Sequence, residues 1–202
     1  MTFITRLAAL LLLALLMSCG KQAELPRLPS TATVLAFGDS LTFGTGATPE
    51  TSYPAVLAGL IGRKVENAGI PGNTTADGVA RFATVLDETQ PGLVILCLGG
   101  NDFLRRLDEA ETVGNLRKML DEARSRKLPV VLIATPKPGF GVDVPDFYAE
   151  LAKEYSVPLE AEALEDILTQ GALKSDAIHP NAEGYQQMAE AVAALLKDAG
   201  AI

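Results

Sequence analysis

Short apolar runs alternate with longer helical patterns along this chain of 202 residues. The run from Leu93 to Leu98 has no polar position, which is typical of a parallel strand buried on both faces. The alternation of strand and helix predicts a mainly parallel sheet with helices on both sides. The predicted strands are 33–37, 64–67, 93–98, 130–134 and 157–159, and the predicted helices are 52–61, 75–88, 109–127, 144–155 and 185–197.

The N-terminus has the pattern of an export signal. Arg6 precedes an unbroken apolar run at 7–17, which is too short to span a bilayer but suits the core of a secretory signal peptide. The next residues, Leu-Met-Ser-Cys at 16–19, resemble the bacterial lipobox, in which the cysteine receives a diacylglycerol and cleavage occurs just before it. The alternative is an ordinary cleaved signal peptide with an incidental cysteine.

The lipobox resemblance implies a particular organisation of the chain. Residues 1–18 would be a lipoprotein signal peptide, Cys19 the lipidated first residue of the mature protein, 19–31 a flexible tether and 32–202 a single folded domain. The protein would then be anchored to a membrane of the bacterial cell envelope, on its periplasmic face.

Composition narrows the classes of function. The formal net charge is −8 and no basic stripe stands out, which argues against a protein that wraps nucleic acid. With Cys19 lipidated, Cys97 has no disulfide partner and is expected to be a small buried hydrophobe. One histidine and one buried cysteine do not supply a typical zinc site. We expect a monomer that binds neither metal nor nucleic acid.

Four polar or glycine-rich segments stand out, and three of them follow predicted strands. They are 38–44, 67–74, 99–102 and 176–180. Any one of these segments could be an ordinary turn, because Gly, Asn, Asp and Ser are the usual turn residues. In a parallel sheet, however, ligands bind where the carboxyl ends of the strands meet the following loops. We therefore expect these segments to form a site.

The chain contains one histidine, His179, so a serine activated by an imidazole has a single possible base. Asp176 lies three residues earlier, a spacing that lets its carboxylate bond one ring nitrogen and leave the other to accept a proton. Ser40, in a strand-to-helix turn, is the candidate nucleophile. The alternative is a surface histidine beside a turn proline.

Acyl chemistry also needs donors for the negative charge that develops on the former carbonyl oxygen. The candidates are the Ser40 backbone N–H, the Gly72 backbone N–H and the Asn101 side-chain amide. Glycine presents its N–H with no side chain in the way. The Gly-x-Ser-x-Gly pattern of ordinary α/β-hydrolases is absent around Ser40.

In order and spacing, the four segments resemble the sequence blocks of the SGNH (GDSL) hydrolase family, over nearly all of 32–196. Ser40 matches the block I serine, Gly72 the block II glycine, Asn101 the block III asparagine, and Asp176 with His179 the block V pair. The resemblance is to the small bacterial periplasmic branch of acyl-CoA thioesterases, arylesterases and lysophospholipases.

This resemblance implies a three-layer α/β/α sandwich of flavodoxin-like type with five parallel strands and no cofactor. It also implies a Ser-Asp-His triad that hydrolyses carboxylic ester or thioester bonds. Asp39 would be a structural turn residue, and Asp102 would brace its loop. Two other functions stay open: an O-deacetylase acting on acetylated glycans at the cell surface, and a non-catalytic lipoprotein that binds a ligand.

The substrate is expected to be a small acyl ester or a lipid. Leu41, Ile70, Phe140 and Val142 are the predicted contacts, and the last two belong to an apolar loop at 135–147. Val144 and Phe147 of the same loop either line this groove or pack the following helix, with whose register they agree.

Overall fold

The computed structural model describes residues 23–139 and 141–202. Its central strands are β1 Val34–Gly38, β2 Val65–Gly69, β3 Leu93–Cys97, β4 Val130–Ile133 and β7 Leu159–Glu160. These five strands form one parallel sheet in the order β2-β1-β3-β4-β7, which confirms the predicted architecture. Between β4 and β7, an antiparallel hairpin pairs β5 Lys137–Gly139 with β6 Gly141–Asp143.

Helices cover both faces of the sheet. They are α1 Ser40–Phe43, α2 Tyr53–Ile61, α3 Thr75–Thr89, α4 Gly100–Leu104, α5 Glu109–Ser125, α6 Phe147–Tyr155, α7 Ala163–Thr169 and α8 Ala182–Asp198, with 3-10 turns at Pro49–Thr51 and Gly171–Leu173. Helices α2, α7 and α8 pack on one face, and α3, α5 and α6 on the other. The predicted three-layer sandwich is therefore confirmed.

The two cores follow from the alternation of side chains along a strand. In β1, Val34 and Ala36 pack with α2 and α8, whereas Leu35 and Phe37 pack with α3 and α5. All five residues of β1 and all five of β3 are buried. Burial on both faces explains why these strands are apolar at every position.

The long elements lie where the sequence predicts them, but the short helices and the β5–β6 hairpin were not predicted. Helices α1, α4 and α7 have seven residues or fewer, too few for an apolar period to be recognised. The helix predicted at 144–155 begins only at Phe147, because the β5–β6 hairpin extends to Asp143 and Asp146 is the N-cap. The last helix begins early, at Ala182, because the Asn181 side chain caps it by accepting from the Gly184 N–H at 3.0 Å.

The flexible tether predicted at 19–31 does not hold for the part of it that the structure describes. Leu25 and Leu28 donate backbone hydrogen bonds of 2.8 Å to Ala199 and Ala201, and the Leu28 side chain is buried. Arg63, just ahead of β2, also donates to the Leu28 carbonyl. This segment therefore packs along the edge of the sheet where the strands begin.

The predicted signal peptide at 1–18 and the predicted lipidation site, Cys19, lie outside the described residues. Within 23–139 and 141–202, no helix is both long and apolar enough to cross a membrane. Cys97, expected to be a buried hydrophobe, is fully buried as a free thiol in the core.

Candidate active site

Ser40 is the first residue of α1, directly after β1. The residue before it, Asp39, caps this helix, because its Oδ1 accepts a hydrogen bond from the Leu41 N–H at 3.0 Å. Gly38 is needed at the end of the strand, since a Cβ there would lie 2.1 Å from Thr42 Oγ1. A strand that passes straight into a helix thus holds Ser40 at the carboxyl edge of the sheet.

His179 reaches Ser40 from the opposite end of the chain. Its Nε2 lies 3.0 Å from Ser40 Oγ, and its Nδ1 lies 2.8 Å from Asp176 Oδ2. With Nδ1 protonated and bonded to the carboxylate, Nε2 is the acceptor that faces the serine hydroxyl. The geometry allows His179 to take a proton from Ser40 while Asp176 orients the ring.

Asp176 is held by its own turn. Its Oδ1 accepts hydrogen bonds from the backbone N–H groups of Ile178 and His179, both at 2.9 Å. Partial burial raises the pKa of this carboxyl, but the hydrogen bonds from the His179 ring and the two backbone amides outweigh that effect. The pKa of Asp176 therefore lies below its ordinary value, and the carboxylate is charged at neutral pH.

Gly72 lies in the tight turn that follows β2. The Asn73 N–H donates to the Ile70 carbonyl at 3.1 Å, and Gly72 has a φ of 83° directly after Pro71. Proline followed by a residue of positive φ is the signature of a type II turn, so glycine is required here. The Gly72 N–H donates no hydrogen bond within the described residues, and neither does the Ser40 N–H.

The Asn101 amide, in contrast, has acceptors already. Its Nδ2 donates to Asp39 Oδ2 at 3.1 Å and to the Asn73 carbonyl oxygen at 3.0 Å. Both amide hydrogens are therefore engaged. Asn101 lines the same cavity as Ser40 and His179, and it links the loop after β3 to the loops after β1 and β2.

Asp39 has a second contact that the sequence did not reveal. Beyond capping α1, it anchors the Asn101 amide through its other carboxylate oxygen. Burial raises the pKa of Asp39 to about 6, although the hydrogen bonds from Leu41 and Asn101 act in the opposite direction. The interpretation of Asp39 as a turn residue was therefore incomplete.

Two further polar residues support the loops. Asp102 is buried and accepts from the Thr75 N–H at 2.9 Å and the Thr75 hydroxyl at 2.6 Å, so it braces its loop as the resemblance implied. Arg81, which the sequence did not single out, donates to the Gly38 carbonyl and to Asn73 Oδ1, both at 2.8 Å. It joins the end of β1 to the turn after β2.

A cavity of about 450 Å³ opens beside Ser40 and His179. Two predicted substrate contacts, Leu41 and Val142, line it. The apolar residues Leu104, Leu168 and Ile178, which were not predicted, also line this cavity. Leu104 could have been predicted from the sequence, because it follows Asn101 by three residues and residues at this spacing are neighbours on a helix.

The remaining predicted contacts lie elsewhere. Ile70 is not among the residues that line the cavity, and 44% of its surface is exposed, because the turn after β2 directs it outward. The structure therefore places Ile70 outside the cavity. Phe147, the first residue of α6, belongs to the core on that side of the sheet and Val144 packs against this core, as the alternative interpretation had it. Phe140 lies outside the described residues.

Two lysines also line the cavity, and they differ in their surroundings. Lys137 forms an ion pair with Glu109 and lies 5.6 Å from the centre of the Phe103 ring. Lys174 forms no ion pair with any described residue. Its backbone bridges to Pro180, so it lies on the same loop as His179. In the described part of the chain, no three His, Cys, Asp or Glu side chains cluster as metal ligands would.

A comparison with known protein families gives the class of this protein. Residues 36–187 match the GDSL-like Lipase/Acylhydrolase family, and the chain belongs to it. The protein is therefore a carboxylic ester hydrolase.

Its relatives carry names of this kind. The chain is 31% identical to the Escherichia coli protein "Thioesterase 1/protease 1/lysophospholipase L1" over 85% of this chain and 86% of that protein. It is 34% identical to an arylesterase of Vibrio mimicus over 79% of this chain and 86% of that protein. The crystal structure of a protein named TesA superposes with a TM-score of 0.72 at 31% identity, covering 83% of this chain and 99% of that one.

Proposed function

We propose that this protein hydrolyses the carboxylic ester or thioester bonds of acyl substrates through a triad of Ser40, His179 and Asp176. One observation carries the proposal: an unbroken hydrogen-bonded chain runs from Ser40 Oγ through the His179 ring to the Asp176 carboxylate, with contacts of 3.0 and 2.8 Å. A nucleophile next to a base that is oriented by a third group is the arrangement that nucleophilic catalysis requires.

The reaction follows from the positions of these atoms. Ser40 Oγ attacks the acyl carbon while its proton passes to His179 Nε2, which gives a tetrahedral intermediate. His179 then returns the proton to the leaving oxygen or sulfur, and the acyl group stays on Ser40 as an ester. A water molecule, activated by the same nitrogen, attacks that ester and releases the acid and free Ser40.

The negative charge on the intermediate is stabilised by the N–H groups of Ser40 and Gly72 and by the Asn101 amide. The two backbone donors have no other acceptor within the described residues, which supports this role. Asn101 would release or share one of its bonds to Asp39 and the Asn73 carbonyl as the oxyanion forms. Such a donor acts mainly in the transition state, when the charge has developed.

The cavity supports an acyl substrate longer than acetyl. Its apolar lining, which includes Leu41, Val142 and Ile178, would favour a hydrocarbon chain over a sugar. Lys174, which pairs with no residue in the described part of the chain, supports a leaving group that carries a phosphate or another anion. It lies on the loop of His179, the residue that protonates the leaving group, so a charge on that group would come near the lysine. The names thioesterase and lysophospholipase among the relatives agree with this substrate class.

We propose that the protein is a monomer in the cell. A lipid on Cys19 would anchor it to a membrane of the bacterial envelope, on the periplasmic face. The apolar run at 7–17 and the Leu-Met-Ser-Cys sequence at 16–19 support this location.

A hydrolysis panel tests the activity. Nitrophenyl esters from acetyl to palmitoyl should be cleaved with a preference for chains beyond acetyl, and a fluorophosphonate should label Ser40 covalently. Activity limited to acetyl esters would favour the O-deacetylase, and absence of labelling would favour the non-catalytic alternative.

A further inference from the structure

Over the residues that the structure describes, the exposed large apolar side chains are concentrated near the candidate active site. Among the described residues, five large hydrophobic side chains are highly exposed: Phe43 53%, Leu60 47%, Leu104 45%, Ile70 44% and Leu107 43%. Four of them follow β1, β2 or β3 and lie on the edge of the sheet that carries Ser40. Leu60 is the exception, because it is near the end of α2, just ahead of the start of β2.

Backbone and side-chain contacts join the loops that carry these four residues. Phe43 lies against the end of β2, since its carbonyl oxygen accepts from Asn67 Nδ2 at 3.4 Å. Ile70 donates its N–H to the Gly38 carbonyl at 3.1 Å, beside the start of α1.

The same continuity extends to the loop after β3. Arg105 donates to the Gly72 carbonyl at 2.7 Å, which ties the turn after β2 to the end of α4. Leu107 donates its N–H to the Asp102 carbonyl at 2.9 Å, so it folds back towards the same helix. We call Phe43, Ile70, Leu104 and Leu107 the apolar rim.

The apolar rim is continuous with the cavity, because Leu104 belongs to both. A protein docked on this surface would cover the opening through which substrate must enter. A lipid surface would instead present acyl chains to it. The neighbouring Arg105 and Arg106 are exposed, and arginines beside apolar residues suit the headgroup layer of a lipid surface. Exposed Asp108 and Glu109 follow them in the chain, and Glu109 is paired with Lys137, so the charge beside the rim is mixed.

From these observations we infer that the apolar rim docks the enzyme onto the surface of aggregated acyl lipid, with the mouth of the cavity facing that surface. The inference rests on the proposed function. The segment of Leu25 and Leu28 lies at the opposite edge of the sheet, so the rim faces away from the N-terminal side of the domain. We therefore assign the docked surface to the substrate.

The test compares one substrate in two physical states. The full chain is assayed with lysophosphatidylcholine at concentrations below and above the critical micelle concentration, and separately with 4-nitrophenyl acetate, which is soluble. The variants are Phe43→Ser, Leu107→Ser and their combination. Leu60→Ser is the matched control, because it removes a comparably exposed side chain at the other edge of the sheet.

Above the critical micelle concentration, we expect the rates of the parent and of Leu60→Ser to exceed the values extrapolated from the saturation curve that is fitted below that concentration. The double variant should lose this rise, with a rate on micelles about tenfold lower, because two apolar contacts with lipid are removed. Its kcat/KM for 4-nitrophenyl acetate should stay within about twofold of the parent, since neither residue belongs to the proposed machinery.

Three results would overturn the inference. First, the rate of the parent on lysophosphatidylcholine could show no extra rise at the critical micelle concentration. If soluble esters were still cleaved, the esterase proposal would remain intact. The Leu60→Ser control could lose the rise as fully as the double variant. Sedimentation could also show a dimer that Phe43→Ser dissociates, in which case the rim is a protein interface. If the parent cleaves no ester at all, the proposed function itself fails.

Discussion

The side-chain amide of Asn101 donates a hydrogen bond to the Asp39 carboxylate over 3.1 Å, although the two residues are 62 positions apart in the chain. Asp39 also caps the helix that begins with Ser40. A proposed oxyanion donor and the proposed nucleophile are thus positioned by the two oxygens of one buried carboxylate. A change in that carboxylate should affect both of them.

The role of Asn101 can be separated from a structural role by kinetics. Asn101→Ala should lower kcat by about 10² to 10³ and leave KM nearly unchanged, because the amide acts mainly on the developed charge. Asn101→Asp should be worse, since a carboxylate would face the oxyanion. Turnover and melting temperature are to be measured on the same preparation. A lower melting temperature with normal turnover would restrict Asn101 to bracing Asp39 and the Asn73 carbonyl.

The triad should behave as one unit. Ser40→Ala and His179→Ala should each remove nearly all turnover, and the double variant should be hardly worse than either single variant, because each loss disables the same step. Asp176→Ala should be milder, since this residue orients the base without attacking. The measurement is kcat/KM on a nitrophenyl ester, and independent, additive losses at Ser40 and His179 would contradict the assignment.

The buried carboxyl of Asp39 predicts a pH dependence of stability. Its pKa rises from 3.8 to about 6 on folding, so between these values the folded state binds more protons than the unfolded state. Stability from this group is therefore greatest at low pH and falls as the pH rises through that window.

The variant Asp39→Asn does not titrate, which makes it the comparison for this effect. Its free energy of unfolding relative to the parent should increase by roughly 2 to 3 kcal/mol between about pH 4 and about pH 7. Its kcat should still fall, because an amide in place of the carboxylate would direct a donor at the Asn101 amide. Urea unfolding at the two pH values gives the first quantity. If the difference in free energy of unfolding between the variant and the parent were the same at both pH values, folding would not raise the pKa of Asp39.

Lys174 should distinguish between leaving groups. Lys174→Gln should reduce kcat/KM for a lysophosphatidic acid by about three- to tenfold and leave the matching monoacylglycerol, which lacks phosphate, unaffected. The difference between the two substrates should shrink as salt is added. Lys197→Gln is the matched control, since Lys197 lies in the last turn of α8, away from the cavity. Equal losses on both substrates would remove Lys174 from leaving-group recognition.

The anchor proposal depends on Cys19. Cys19→Ser should block lipidation, because only a thiol accepts the diacylglycerol, and the variant should be released or wrongly processed. Partitioning between a detergent phase and an aqueous phase measures this directly. A variant that enters the detergent phase as fully as the parent would show that the lipobox interpretation is wrong.

Much of the fold could be predicted because its signals are local. A strand buried on both faces must be apolar at every position, so β1 and β3 are visible in the sequence alone. The Asp176–His179 pair was also predictable, since the contacts that hold it lie within one turn of four residues. The single histidine then left one possible base for Ser40.

Other features depend on residues that only the fold brings together. The Ser40–His179 contact spans 139 positions, and Arg81 reaches Gly38 over 43. The hairpin of β5 and β6 and helices α1, α4 and α7 are too short to show a period, and their form depends on the packing around them. Ile70 is as apolar as the residues that line the cavity, yet the turn that carries it exposes its side chain to solvent. Local spacing and apolar pattern determined which residue types were available, and the packing of the sheet decided which of them meet at its carboxyl edge.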